Sequence, residues 1–353
     1  MTSWPRGCDK APHHDLYNFS PLLVSVKTRD TDKSPYKYPR CYSVQEIMSR
    51  VYQSEGVVSE EGAGTFLAHL PSGTPVYCYN QQCAIQSLFP PYSVEDRFTV
   101  LNHFPAEILA ENEEQLPGRC DYSPSLQILI ITMPSQPHEE AASSFEAMIV
   151  TLAKEMNVYR RIAKCGATRV DTPERNKQAD RSWEPARQGR EFPTVTLEVG
   201  FSETTLKLER DIAWWINGSK GEVRMGITID IKRGSHSIEI KSWTPAFEPS
   251  LRNIYITAGG RQVTDRRIRD PPPPRMTQRI LITRGRDGSS PTIEGEPLTI
   301  PFHTLLLDEP GEGEGDFVFT AEMLLPDLAE RIWDAIDDAE TIKAKKSNNH
   351  HTA

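Results

Sequence analysis

The sequence lacks long apolar runs and paired cysteine motifs. No window approaches the roughly 18 consecutive apolar residues of a membrane-spanning helix, and the opening segment MTSWPRGCDKAPHHD has no apolar region typical of a secretory signal. The six cysteines are scattered and none forms a CxxC pair, which favours free thiols in a reducing compartment over a zinc site. We therefore expect an intracellular protein, cytoplasmic or nuclear, that is not secreted and binds no membrane.

The sequence also lacks an excess of basic residues. Its 40 Lys and Arg residues are outnumbered by 49 Asp and Glu residues, and the formal net charge of −9 argues against indiscriminate binding to nucleic acid. Basic residues are nevertheless dense from 160 to 190, the best local candidate for a phosphate-contacting surface. Candidate substrate-binding residues there are Arg169, Arg181 and Arg187, together with Trp183, which could stack on a base. The alternatives are a solvated loop and a tryptophan that covers the edge of a core.

The best-patterned stretch of the chain, 179–243, alternates between strand and helix signals. Its β-branched segment Pro193–Val199 is ended by Gly200 and predicts a buried strand. The apolar residues that follow at helical spacing are Leu208, Ile212, Trp215 and Ile216. Two more alternating segments, 222–233 and 236–243, predict a hairpin. The order favours an α/β sheet.

Two acidic residues in this stretch are candidate metal ligands. Asp180 lies just upstream of the predicted strand, and Glu198 lies near the strand's C-terminal end, where it would point into a cleft. Two carboxylates at one edge of a sheet supply the oxygen ligands and negative field that Mg²⁺ or Mn²⁺ needs. In the alternative, Asp180 begins a turn and Glu198 is a buried carboxylate paired with Lys207 or Arg210.

The same stretch resembles the restriction-endonuclease-like, or PD-(D/E)xK, core, in which an Asp precedes a hairpin and an acid-x-Lys motif follows on the next strand. It is also similar to uncharacterised fungal proteins that carry this core, and more distantly to the bacterial Uma2-type version of the fold. The motifs that carry the likeness are Asp180–Pro185, Phe192–Glu203, Asp211–Trp215 and Gly221–Arg224. The resemblance covers residues 125–258 well and extends loosely to about 336.

The resemblance implies a mixed sheet flanked by helices and a Mg-dependent endonuclease in which Asp180 and Glu198 hold the metal. One residue departs from the pattern, because Gly200 stands where the family has the lysine that orients or polarises the attacking water. Lys207 and Arg210 on the following helix, on a stripe facing away from its apolar residues, are the candidate replacements. The implied catalytic residues are therefore Asp180, Glu198, Lys207 and Arg210.

Outside this stretch the chain divides into further predicted parts. They are an N-terminal α+β extension (1–120), the core itself (121–260), a C-terminal strand-helix appendage (261–336) and a polar, disordered tail (337–353). Within the core, the continuous apolar run Ser125–Met133 predicts a central strand, and Glu139 or Glu146 on the next helix could bring an extra acid to the site. Pro271–Pro274 predicts an extended spacer, or a ligand for an SH3- or WW-type partner.

Three functions remain open at this point. One is metal-dependent hydrolysis of DNA or RNA. Another is a catalytically inactive nuclease-fold module for binding or scaffolding, which the missing lysine and the acidic composition favour. The last is an accessory protein of a fungal metabolic pathway with its cleft recruited for a small molecule. A homo-oligomer is compatible with all three, and the fold alone does not choose among them.

Overall fold

Two seven-stranded sheets organise the part of the chain that the structure describes. The structure is a computed structural model. It describes residues 42–43, 60–79, 95–112, 116–201, 205–246, 255–256, 262–263, 272–286, 289–295 and 297–350. All of these lie in one unit of the chain, 39–353.

The strands and helices are numbered here in chain order over the described residues. The strands are β1 (Tyr42–Ser43), β2 (Pro75–Cys78), β3 (Arg97–Asn102), β4 (Arg119–Ser123), β5 (Ile128–Met133), β6 (Ile162–Lys164), β7 (Arg169–Asp171), β8 (Asn176–Gln178), β9 (Arg181–Pro185), β10 (Val195–Phe201), β11 (Met225–Lys232), β12 (Ser237–Thr244), β13 (Tyr255–Ile256), β14 (Gln262–Val263), β15 (Arg275–Thr283), β16 (Thr292–Glu294), β17 (Leu298–Ile300) and β18 (Phe317–Phe319). The helices are α1 (Glu60–Leu67), α2 (Ala106–Asn112), α3 (Gln136–Glu155), α4 (Thr205–Gly218), α5 (Phe302–Leu306), α6 (Ala321–Leu324) and α7 (Glu330–His350). A short 3₁₀ helix, Tyr159–Arg161, follows α3, and a π-helical turn, Leu325–Ala329, joins α6 to α7.

The first sheet has the strand order β1-β2-β3-β5-β4-β8-β7. Its middle strand is β5, the strand that the continuous apolar run predicted to be central, because such a run is stable only where both faces are covered. β5 pairs antiparallel with β3 on one side and with β4 on the other. This sheet therefore joins strands from both sides of the predicted domain boundary at residue 120.

The second sheet has the order β16-β15-β12-β11-β10-β9-β6. β10 pairs antiparallel with β9 and parallel with β11, and the crossover between β10 and β11 contains α4. Every residue of β10 is buried because α3 packs against one face of the strand and α4 against the other. The predicted hairpin is present as β11 and β12. The fold is thus of the mixed α/β class.

The C-terminal elements share the main hydrophobic core. Phe319 of β18 stacks on Phe145 of α3, with ring centroids 5.1 Å apart, and Ile332 and Trp333 of α7 belong to the same buried cluster. The structure differs from the predicted disorder over 337–350, because α7 continues to His350. Residues 351–353 of the predicted tail lie outside the described residues. Ala339 is buried in this part of the helix, whereas residues 341–345 after it are exposed. Among the described residues, no helix is long and apolar enough to cross a membrane.

Candidate functional site

Glu198 lies on the face of β10 that α4 covers, with only 5% of its surface exposed. Its Oε1 accepts a hydrogen bond from Nε1 of Trp215 at 2.6 Å and lies 3.4 Å from Nζ of Lys177. Burial raises the pKa of Glu198 to about 7, since the attraction of Lys177 does not compensate for desolvation and Asp180 and Asp211 lie nearby. Glu198 is therefore a buried carboxylate whose cation is Lys177, not the Lys207 or Arg210 that the sequence suggested.

Asp180 lies between β8 and β9 and is bound on all sides. Its Oδ1 is 3.0 Å from Nη1 of Arg119 and 3.0 Å from Nε2 of His138, and its Oδ2 accepts the backbone N–H of Val199 at 2.5 Å. Burial alone would raise the pKa of Asp180, but Arg119 and His138 hold it well below its usual range. Both oxygens of Asp180 are thus used by protein donors.

His138, in the first turn of α3, links two buried aspartates. Its Nδ1 is 2.9 Å from Oδ2 of Asp96, and its Nε2 faces Asp180. Burial would lower the pKa of His138, but the charges and hydrogen bonds of Asp180 and Asp96 raise it to about 10. An imidazolium that donates from both nitrogens follows from this geometry. Asp96 also accepts the backbone N–H groups of Ser135 and Phe201, at 2.7 and 3.2 Å.

Lys177 of β8 lies among three acids that belong to the first sheet, the second sheet and α4. Its Nζ lies 3.2 Å from Oδ2 of Asp211 on α4 and 3.8 Å from Oδ2 of Asp121 on β4. Burial would lower the pKa of Lys177, but Asp211, Glu198 and Asp121 raise it, so the side chain is charged. Arg175 completes the cluster by binding Asp121 through both carboxylate oxygens and Asp211 at 3.0 Å.

Together these side chains form a buried ion-pair network of five acids and five cations, which the half-exposed Glu139 joins through Arg119. The acids are Asp96, Asp121, Asp180, Glu198 and Asp211, and the cations are Arg119, His138, Arg175, Lys177 and Lys207. Both residues predicted to bind a metal belong to it, and each is already bound by a cation. A divalent ion would have to displace Lys177, Arg119 or His138, so these residues as placed do not fit Mg²⁺ or Mn²⁺. Within the described ranges, no group of three or more His, Cys, Asp and Glu side chains is arranged to hold a metal.

The two predicted replacement cations on α4 take different positions. Lys207 pairs with Asp211 at 2.8 Å, one helical turn away. Arg210 is exposed and hydrogen bonds to Nε2 of His69 in the turn after α1. Asp211, the residue after Arg210, belongs to the buried face of α4.

Gly200 explains why this strand has no lysine after Glu198. A Cβ atom at Gly200 would lie 2.8 Å from Cδ1 of Leu208, a residue on the buried face of α4. The close approach of α4 to β10 therefore leaves no room for a side chain at this position.

The predicted substrate-binding residues do not form one surface. Arg169 pairs with Asp171 at 2.6 Å, and Arg181 pairs with Glu146 at 3.1 Å and also contacts Glu139. Of the two candidate extra acids, Glu139 pairs with Arg119 at 2.6 Å, whereas Glu146 pairs with Arg181 and Lys164. Neither of them contacts Glu198 in this arrangement. Arg187 is exposed and lines a separate groove with Leu306.

Trp183 requires a correction, because none of its surface is exposed. It packs near Phe145, with ring centroids 6.1 Å apart, in the main hydrophobic core. Strand β9 places Trp183 opposite Val195 of β10, whose side chain faces the same core. The residue therefore stabilises the fold and cannot stack on a base in this arrangement.

An open cleft of about 720 Å³ adjoins the network. We call it the α1–α4 cleft, since α1 and its following turn form one wall, α4 forms the other, and β4 and β5 lie at its base. Arg175, Lys207 and Asp211 line it from the network, and Arg210 and His69 line it from its outer side.

The fold and site define a mixed α/β protein with a buried ion-pair network beside a cleft. No family model and no curated protein matches the chain. It is similar to one solved structure from Anabaena variabilis, a candidate nuclease belonging to DUF820, at 18% identity and a TM-score of 0.29. The match covers 40% of this chain and 79% of that one. At this TM-score the likeness establishes neither fold nor activity.

Proposed function

We propose that the chain is a ligand-binding module built on a restriction-endonuclease-like core, in which the buried ion-pair network takes the place of the metal. The order of elements supports the core assignment: α3 precedes the antiparallel pair β9 and β10, and α4 then leads to β11, parallel to β10. The proposed role without a metal is supported by one observation. Asp180 and Glu198, the two acids of the expected metal site, are both bound by protein cations.

The energetics of the network favour this role. Removing one partner of a buried pair costs about 3–5 kcal/mol, because the remaining charge loses its compensation. A divalent ion at Asp180 and Glu198 would leave displaced cations in the same buried space. We therefore expect the network to persist without a metal and to hold its members in fixed positions beside the α1–α4 cleft.

A metal-dependent nuclease is the second candidate, because Asp180 and Glu198, the two predicted metal ligands, lie near each other. Asp180 accepts the N–H of Val199, the residue directly after Glu198, and the charge of Asp180 contributes to the raised pKa of Glu198. Perturbed carboxylates of this kind are common at catalytic sites. This candidate ranks second because the oxygens of Asp180 are already used.

A cleavage assay distinguishes the two candidates. The wild type and Glu198→Gln, purified in parallel, are incubated with single- and double-stranded DNA and with RNA in the presence of Mg²⁺ or Mn²⁺. The binding-module proposal predicts no cleavage beyond that of the Glu198→Gln preparation. Metal-dependent cleavage by the wild type that the variant lacks would overturn it in favour of a nuclease.

A further inference from the structure

The α1–α4 cleft has the size of a small-molecule site. Its volume of about 720 Å³ falls within the range of roughly 300–1,000 Å³ that such sites occupy. Two helices and two strands of the first sheet supply most of its lining, while His69 and Arg175 come from the connections beside them. Sites built on such elements keep their geometry better than sites built on loops.

Positive charge exceeds negative charge in the lining of this cleft. The charges of Arg175 and Lys207 are compensated by Asp121 and Asp211. Arg210 has no carboxylate partner among the residues that the structure describes. One uncompensated guanidinium therefore lies at the outer part of the cleft, where a ligand would enter.

His69 and Arg210 act there as a pair. Burial, then the charge of Arg210, lowers the pKa of His69, so the imidazole is neutral near pH 7. Its Nε2 accepts a hydrogen bond from Arg210, and the ring proton is then on Nδ1. The contact involves only Nη1 of the exposed Arg210, so Nε and Nη2 can face an anion.

The remaining lining combines hydroxyl donors with apolar surface. The hydroxyls of Ser123 and Ser125 lie 3.4 Å apart and can bond to each other, which leaves one of them to donate to a ligand. Phe66 and Ile130 offer apolar contact. An anion with three acceptor oxygens uses this set of donors more fully than a carboxylate with two. The apolar residues would contact a hydrocarbon or aromatic group attached to that anion.

We propose that the α1–α4 cleft binds a small phosphomonoester whose organic group is apolar or aromatic, with Arg210 as the main contact for the phosphate. The inference rests on the ligand-binding role proposed above and names the ligand class for it. A small ligand is favoured over a nucleic acid because the chain carries a net charge of −9 and the basic stretch 160–190 is divided among separate ion pairs.

Calorimetry with phenyl phosphate tests the proposal, carried out in EDTA so that no metal contributes. Wild type, Arg210→Ala and Arg160→Ala are compared, Arg160 being an exposed arginine outside the cleft. We expect saturable binding by the wild type, about tenfold weaker binding by Arg210→Ala, and no change in Arg160→Ala. Inorganic phosphate should bind more weakly than phenyl phosphate, because it lacks the aromatic group.

Three outcomes would overturn the inference. They are no saturable binding of phenyl phosphate at millimolar concentration, an equal loss in both arginine variants, and tighter binding of a single-stranded oligonucleotide than of phenyl phosphate. The cleavage assay above reports separately on the binding-module proposal. If phenyl phosphate does not bind and no metal-dependent cleavage occurs, only this ligand class is ruled out. Metal-dependent cleavage would instead rule out the binding-module proposal.

Discussion

Lys177 places its Nζ 3.4 Å from Oε1 of Glu198, although the two residues lie in different sheets. The same nitrogen is 3.2 Å from Asp211 on α4, so one lysine connects both sheets and the helix. The cation beside Glu198 comes from β8 of the first sheet, not from the strand that carries Glu198. This contact holds Glu198 in the buried ion-pair network.

Replacing Lys177 with Met should destabilise the fold strongly. The change leaves Glu198 and Asp211 buried without this cation, and we expect the free energy of unfolding to fall by about 3–5 kcal/mol. Urea denaturation measures the loss, with Lys343→Met on the exposed face of α7 as the control. Glu198→Gln in the Lys177→Met background should recover part of it, and a loss below about 1 kcal/mol, the level of an exposed pair, would contradict the account.

Glu198 should make stability depend on pH. Its pKa is raised from 4.5 to about 7 on folding, so the folded state retains a proton that the unfolded state has released. The contribution to stability is complete below about pH 4.5 and is lost as the pH rises through 7. The variant Glu198→Gln lacks this titration. The free energy of unfolding of Glu198→Gln minus that of the wild type should therefore increase from pH 4.5 to pH 7. If this difference stays constant with pH, the pKa of Glu198 is not raised.

His138 should remain protonated above neutral pH. Its pKa of about 10 follows from the two flanking aspartates, and its stabilising contribution, complete below pH 6.5, is lost as the pH approaches 10. In ¹⁵N NMR spectra at pH 8 we expect both ring nitrogens of His138 to be protonated. His69, whose pKa is lowered, should be neutral in the same spectra. Titration of His138 near its ordinary value would exclude the imidazolium bridge.

Replacing Gly200 with the lysine of the PD-(D/E)xK motif should destabilise the protein without creating a nuclease. Even Gly200→Ala brings a Cβ to 2.8 Å from Leu208, and overpacking of this kind costs about 1–3 kcal/mol. Gly200→Lys should cost more. Thermal denaturation compares both with Gly234→Ala, where a Cβ meets nothing within 4 Å. Combining Gly200→Ala with Leu208→Ala should remove the clash, so the double variant should lose less stability than the sum of the two single losses. If the two losses simply add, the clash with Leu208 is disproved.

The sequence could predict the elements whose signals are local. The continuous apolar run of β5, the β-branched segment of β10 and the spacing of Leu208, Ile212 and Trp215 each identify an element without reference to the rest of the fold. Each also indicates which faces are buried. The mixed α/β class follows from the order of these elements.

The partners of the site acids could not be predicted in the same way. Lys177 and Arg119 meet Glu198 and Asp180 only because the first sheet is folded beside the second, and no local spacing encodes that contact. One weaker signal was present, since Asp121 is a charged residue between Cys120 and Tyr122, two residue types that are often buried. Such a residue requires a buried partner.

Metal titration by calorimetry tests the central claim most directly, namely that the buried ion-pair network replaces a metal at Asp180 and Glu198. Mg²⁺ and Mn²⁺ are titrated into the wild type and into Glu198→Ala. The account predicts no saturable binding at millimolar metal by the wild type. A saturable site in the wild type that Glu198→Ala abolishes would contradict it, since the carboxylates would then bind a metal in preference to Lys177, Arg119 and His138.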